Sequence, residues 1–213
     1  MKNITKIIKD NWQLIVVLVC MIGFLLIAED VINKDLMKGD VIGYGIISKF
    51  LINEKMTPIM KFIANLGGGI FVIALTLILA VSIKNKKVSL AIIINLVTIT
   101  TLNQALKYLL QRPRPTGFRL AEATGFSFPS GHSMISLAFY GYLIYLIYKY
   151  IKNTPIKYIL MSLLTVLICL IGISRIYLGV HYTSDVLGGF LLSIAYIVLY
   201  IYIAKKYIIK DVT

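Results

Sequence analysis

The chain has 213 residues, of which 59% are hydrophobic and only 15% charged, and it carries a formal net charge of +13. Its apolar runs approach the ~20 residues needed to cross a bilayer, which excludes an ordinary soluble domain, since that would break them with a polar face every turn or two. Nucleic-acid binding is a poor account of the charge, because the lysines recur at the ends of the apolar runs instead of forming one basic patch.

In chain order the pattern predicts six spans, over 12–28, 62–83, 88–110, 132–150, 156–173 and 184–204. Lys2, Lys6 and Lys9 before the first span resemble the start of a secretory signal. Leu26 occupies the −3 position of a cleavage site after Ala28, where a small residue is needed, and Trp12 suits an interfacial anchor. A retained helix is therefore expected. Residues 29–61 mix apolar and charged side chains and predict one or two short helices at the outer surface. Gly67, Gly68 and Gly69 lie within the second span, where close helix packing explains them better than approach of a ligand.

The third span turns polar toward its end. Thr100, Asn103 and Lys107 share one helical face, and such groups must look onto protein or water, not lipid. Pro113 and Pro115 stop this helix. The next loop carries Arg112, Arg114 and Arg119, then FPSGHS at 128–133. There Pro129 starts a turn, Ser130 caps a helix, and Gly131 permits close approach to the backbone. His132 opens the fourth span, and free N–H groups at a helix start bind anions. After the fifth span comes SRIYLGVHYTSD, 174–185, with His181 and Asp185 four residues apart and Thr183 or Ser184 available to cap the last span. Cys20 and Cys169 fall inside apolar spans and are expected to be small buried hydrophobes, with no disulfide framework. No linker or repeat divides the chain, so residues 1–213 are expected to form one domain.

Charge predicts the orientation. With both termini in the cytoplasm, the inner segments hold Lys2, Lys6, Lys9, Lys84, Lys86, Lys87, Lys149, Lys152, Lys157, Lys205, Lys206 and Lys210, opposed only by Asp10 and Asp211. The first outer loop balances five lysines against five acids. That asymmetry follows the positive-inside rule. It leaves Lys107, Arg114 and Arg175 at the outer face, where topology does not call for cations.

Taken singly, an arginine at a span end is an anchor, a PSG is a turn, and a His–Asp pair is a structural hydrogen bond. Together they form a pattern. Lys107, six residues, then Arg114-Pro115; Pro129-Ser130-Gly131-His132; and Ser174-Arg175, five residues, His181, three residues, Asp185 match K-x6-RP, PSGH and SR-x5-H-x3-D at every position. The chain resembles the type 2 phosphatidic acid phosphatase superfamily, which also includes vanadium haloperoxidases and glucose-6-phosphatase. The Arg-Pro at 112–113 has the wrong spacing, and loop 29–61 adds nothing to the signature.

The resemblance implies an all-α polytopic membrane phosphatase, with six spans in one bundle and short outer helices. It implies that His181 attacks phosphorus and carries it as phosphohistidine, with Asp185 orienting it. His132 protonates the leaving oxygen and then activates water. Lys107, Arg114, Arg175, Ser130 and Gly131 bind the phosphate. No cofactor and no metal are implied. A metal site built from the two histidines, Asp185 and Glu122 competes poorly, because three fixed cations already supply the charge of an ion and would repel one. The implied partners are the bilayer and a lipid phosphate or diphosphate, with no protein partner. Small bacterial relatives act on isoprenoid diphosphates and phospholipid phosphates. A site on the extracytoplasmic face of the plasma membrane favours undecaprenyl diphosphate, which is released there, over phosphatidylglycerophosphate, which is made inside. Phosphatidate and diacylglycerol diphosphate are further alternatives. A transporter that binds without reacting would not need His181 paired with Asp185. A lipid phosphotransferase differs only in its acceptor. Haloperoxidase activity is disfavoured, because those relatives are soluble.

Overall fold

The computed structural model describes residues 2–33 and 37–209, with side chains from Asn11 onward. Lys34, Asp35, Lys210 and Asp211, and the side chains of Lys2, Lys6, Lys9 and Asp10, all used in the charge argument, lie outside what is described. Among the described residues the regular structure is all helical, with a long loop over 111–130: α1 (Lys2–Ile32), α2 (Lys38–Phe50), α3 (Met56–Leu66), α4 (Gly69–Ser82), α5 (Lys86–Leu110), α6 (Gly131–Tyr150), α7 (Thr154–Tyr177) and α8 (Thr183–Ile203).

The bundle is built around α6, which packs against α5, α7 and α8, while α1 lies on α8 and α3 on α7. The faces of α1, α4 and α7 that point away from this centre are apolar and open: Leu18, Ile22, Leu25, Ile73, Leu77, Leu163 and Val166 are all exposed. In water such a surface would drive aggregation; in a bilayer it meets acyl chains. Four helical stretches are long and apolar enough to cross, namely Asn11–Ile32, Lys86–Leu110, Thr154–Tyr177 and Thr183–Ile208. The α3–α4 pair supplies a fifth if its two halves cross together.

The stretch expected to span over 62–83 is not one continuous helix. It is two helices bent by 48° at the glycines. A Cβ on Gly67 would lie 2.6 Å from Ile171 Cγ2 and 2.7 Å from Ser136 Oγ. The chain breaks where its backbone must press against α6 and α7, and only glycine leaves the room. The carbonyl of Leu66, freed near the break, accepts from Tyr140 Oη at 2.6 Å.

Helix α6 coincides with the expected span 132–150 but is not apolar enough to count among the crossing stretches above. Ser133, Ser136, Tyr140 and Tyr142 are buried in it. Such residues suit a helix that its neighbours shield from lipid. In the stretch 29–61, α2 is the short surface helix expected, with Val41, Ile42, Ile46 and Phe50 exposed, and α3 begins before the stretch ends. Cys20 is buried as expected, but Cys169 is exposed, because it lies on the open apolar face of α7.

Candidate active site

Three chain segments meet at one end of the bundle. Helix α5 stops at Leu110, and Gln111 takes a left-handed conformation (φ 44°) while its amide donates to Lys107 O. The proline-rich loop then crosses to α6. Ser130 caps α6 as expected, accepting from the Ser133 amide at 3.4 Å. From α7 the chain turns through residues 178–182 into α8.

Between these segments lies a cavity of about 510 Å³ lined by Lys107, Arg114, Gly131, His132, Arg175 and His181, and also by Gly67, Gly69, Gln104 and Glu122. The sequence pattern predicts the first six and not the last four. Asn103 and Lys107 turn inward, as their shared face requires; the Asn103 amide donates to Pro129 O at 3.2 Å. Gly67 therefore serves packing, and both Gly67 and Gly69 border the cavity.

The three cations are held without neutralising partners. Lys107 Nζ donates to Phe126 O. Arg114 donates to the carbonyls of Thr124, Gly125 and Val180. Arg175 is 7% exposed, yet its Nε has no hydrogen-bond partner. Among the described residues none of the three is in an ion pair with a carboxylate. Buried cations without counter-ions are costly, and an anion in the cavity would relieve that cost. The amides of Gly131 and His132, at the positive end of a 20-residue helix, make no hydrogen bond among the described residues and add to the attraction.

His181 lines this cavity with its protonation pattern set by both neighbours. Arg114 Nη1, which can only donate, lies 3.1 Å from Nε2. On the other side Asp185 Oδ2 accepts from Nδ1 at 3.2 Å. The proton is thus on Nδ1, and Nε2 presents a lone pair. Burial pushes the His181 pKa down, Asp185 pulls it back, and Arg175 and Arg114 add to the fall, leaving it at about 4. The ring is neutral at neutral pH.

Asp185 is fully buried and saturated. Besides Nδ1 of His181 its oxygens accept from Arg112 Nη1 at 2.6 Å, from the Tyr182 amide at 2.9 Å and from Ser127 Oγ. His132 lines the cavity beside His181, and its ring has no hydrogen-bond partner among the described residues. No group of three His, Cys, Asp or Glu side chains among them is placed to hold a metal ion.

Three expectations need revision. Ser130 is fully buried and does not line the cavity; its hydroxyl is taken up by Ser133, and its amide donates to Asp185 O at 3.1 Å. Neither Thr183 nor Ser184 caps α8. The cap position is Tyr182, and the first amides of the helix are claimed by carboxylates, Tyr182 N by Asp185 and Ser184 N by Asp40 at 2.8 Å, because a charged acceptor outcompetes a hydroxyl at a helix start. Loop 29–61 and Arg112 do belong to the site's surroundings, since Arg112 bridges Asp185 and Asp40 of α2. One signal in the sequence pointed to this pair: a second cation two residues from Arg114, in a loop where charge balance needed none.

A family model described as the PAP2 superfamily matches residues 70–209, which contain all three segments. The chain belongs to the PAP2 superfamily. Phosphatidylglycerophosphatase B of Bacillus subtilis (strain 168) is 35% identical over 150 residues, 67% of this chain and 70% of that protein. An undecaprenyl-diphosphatase of Sulfolobus acidocaldarius is 28% identical over 162 residues, 71% of this chain and 74% of that protein. The crystal structure of a transmembrane PAP2-type phosphatidylglycerolphosphate phosphatase from Bacillus subtilis superposes with a TM-score of 0.77 at 29% identity, over 90% of this chain and 96% of that one. Aquifex aeolicus LpxE shares the fold, with a TM-score of 0.60 at 24% identity, over 77% of this chain and 93% of that one. Its helices and this PAP2 membership make the protein a membrane lipid phosphatase.

Proposed function

We propose that the protein hydrolyses a lipid diphosphate, undecaprenyl diphosphate foremost, through a phosphohistidine on His181. The observation that carries the reading is the neutral, Nδ1-protonated His181 facing a cavity with three uncompensated cations. Phosphoryl transfer asks mainly for charge stabilisation and positioning. Lys107, Arg114 and Arg175 surround the phosphate oxygens, and the amides of Gly131 and His132, more than the Ser130 hydroxyl, complete the cradle. Arg114 leaves Nε2 for a phosphate oxygen as substrate enters. Nε2 then forms the bond to phosphorus as the lipid oxygen leaves. A phosphate dianion beside His132 favours its protonated form, and that proton goes to the leaving oxygen. His132, now neutral, takes a proton from water. The hydroxide breaks the N–P bond and inorganic phosphate departs.

A second reading, phosphatidylglycerophosphate as substrate, is favoured by the 35% identical relative of that name. Phosphate release in detergent from undecaprenyl diphosphate, phosphatidylglycerophosphate and phosphatidate decides between them. The diphosphate should react fastest, with its rate unchanged by excess EDTA. Faster release from phosphatidylglycerophosphate installs the second reading. Loss of activity in EDTA that Mg²⁺ restores overturns the charge role given to the three cations.

The reading includes a single domain over residues 1–213, six crossings with the bent pair and α6 both spanning, cytoplasmic termini, and a site on the extracytoplasmic face of the plasma membrane. The lysine distribution supports it. Thr116→Cys and Asn85→Cys, each in a background without Cys20 and Cys169, test the orientation. In intact cells an impermeant thiol reagent should label the first and spare the second. The reverse pattern inverts the topology.

A further inference from the structure

Arg112 and Asp40 lie outside the signature, are almost wholly buried, and do not line the cavity that holds the three cations. Their contacts all run toward the His181–Asp185 pair. Arg112 Nη1 donates to Asp185 Oδ1 at 2.6 Å and to Ser184 Oγ at 2.7 Å. Its Nη2 donates to Asp40 Oδ2 at 2.7 Å. The guanidinium also stacks 4.1 Å from the centroid of the Tyr182 ring. Asp40 Oδ1 meanwhile accepts from the Ser184 amide at 2.8 Å and from its hydroxyl at 2.7 Å. Both terminal nitrogens of the guanidinium and both oxygens of Asp40 are thus used.

Asp40 arrives there on α2, a helix otherwise apolar and partly open to its surroundings. The approach is tight: a Cβ on Gly43 would lie 2.2 Å from Thr183 Oγ1. A glycine one turn after Asp40 lets α2 close onto the first turn of α8. Two carboxylates and one guanidinium thus form a chain running Asp40, Arg112, Asp185, His181. Arg112 occupies Oδ1 of Asp185, while Oδ2 accepts from Nδ1 of His181, the Tyr182 amide and Ser127 Oγ. Asp40 cancels one charge and fixes the guanidinium plane, whose rigid fork serves two carboxylates at once.

We propose that Asp40 and Arg112 are positioning residues for phosphoryl transfer, which orient Asp185 and through it the attacking ring of His181 from the side away from the substrate cavity. The proposal rests on the reading of His181 as nucleophile. It differs from a purely structural staple in what it predicts. A staple lowers stability and leaves the turnover of the folded fraction intact. A positioning pair lowers kcat and spares KM, because neither residue meets the substrate.

The test uses the full-length protein in detergent, with farnesyl diphosphate as probe, well below the melting temperature of each variant. Arg112→Gln should reduce kcat by about 10- to 100-fold, the range found when partners that orient a reactive group are removed, with KM nearly unchanged. Arg112→Lys should recover part of the loss, since the charge remains and the fork does not. The near-isosteric Asp40→Asn should lower kcat less than Arg112→Gln. The double variant should be no slower than Arg112→Gln alone, because both act through one chain. ¹⁵N-histidine spectra read the same arrangement without turnover: His181 should be a fixed Nδ1–H tautomer in the wild type and a mixture in Arg112→Gln. Should the wild type release no phosphate from any lipid, the functional reading fails, and the spectra still decide the positioning. Wild-type kcat in folded Arg112→Gln, a loss confined to KM, full multiplication of the two single effects, or an unchanged tautomer would each overturn the proposal.

Discussion

His181→Ala should abolish phosphate release from every lipid substrate, while His132→Ala should lose activity in proportion to how poor the leaving group is. The asymmetry follows from the two rings' positions. His181 alone offers a lone pair backed by a carboxylate, and without it no covalent intermediate forms. His132 borders the same cavity with its ring unpartnered among the described residues, so it is free to hand a proton to the departing oxygen. A positioned acid contributes about 10²–10⁴-fold. Phosphatidate must expel a strongly basic alkoxide, whereas a lipid diphosphate expels a phosphate, which needs little help. His132→Ala should therefore suffer more on the monoester, as long as the first step limits the rate. Rapid-quench trapping from labelled diphosphate checks that condition: phosphoenzyme should accumulate in His132→Ala, where activation of water is also impaired. Phosphoenzyme in His181→Ala but none in His132→Ala would exchange the two roles.

Arg175→Met should lower turnover by about 10²–10³-fold, the cost of removing one preorganised donor from a phosphoryl or oxyanion site, and at the same time stabilise the protein. These opposite signs come from one observation. The guanidinium is buried, its Nε is unpaired, and it has no counter-ion among the described residues. A buried polar group left unsatisfied costs about 1–3 kcal/mol, and methionine of similar length removes that cost. The apparent Tm should rise by several degrees in the empty protein. Inorganic phosphate, binding the folded state only, should raise the Tm of the wild type and raise that of Arg175→Met much less. A fall in Tm together with the fall in activity would make Arg175 a structural anchor instead of a phosphate ligand.

What the amino-acid sequence determined by itself is what local chemistry dictates. Long apolar runs made the protein a membrane-embedded helical bundle. The spacing of Lys107, Arg114, His132, Arg175, His181 and Asp185 carried the resemblance to the PAP2 superfamily, and these residues lie at helix ends that sequence signals announce: Pro113 after α5 and the Ser130 cap before α6. Other features depended on how the helices met. The bend at Gly67 follows from the press of Ile171 and Ser136, which lie about 70 residues or more further along the chain. Helix α6 is too polar to announce itself as a crossing stretch, and what shelters its tyrosines and serines is the bundle around it, where Tyr140 reaches the carbonyl of Leu66. Asp40 looked like one of five acids in a balanced surface loop, and Arg112 like a misplaced copy of Arg114. Their pairing spans 72 residues and exists only because α2 folds back onto the start of α8. Sequence patterns report groups whose spacing is set by one turn or one helix. A buried charge pair between distant segments leaves no such period, because its partner is chosen by packing in three dimensions.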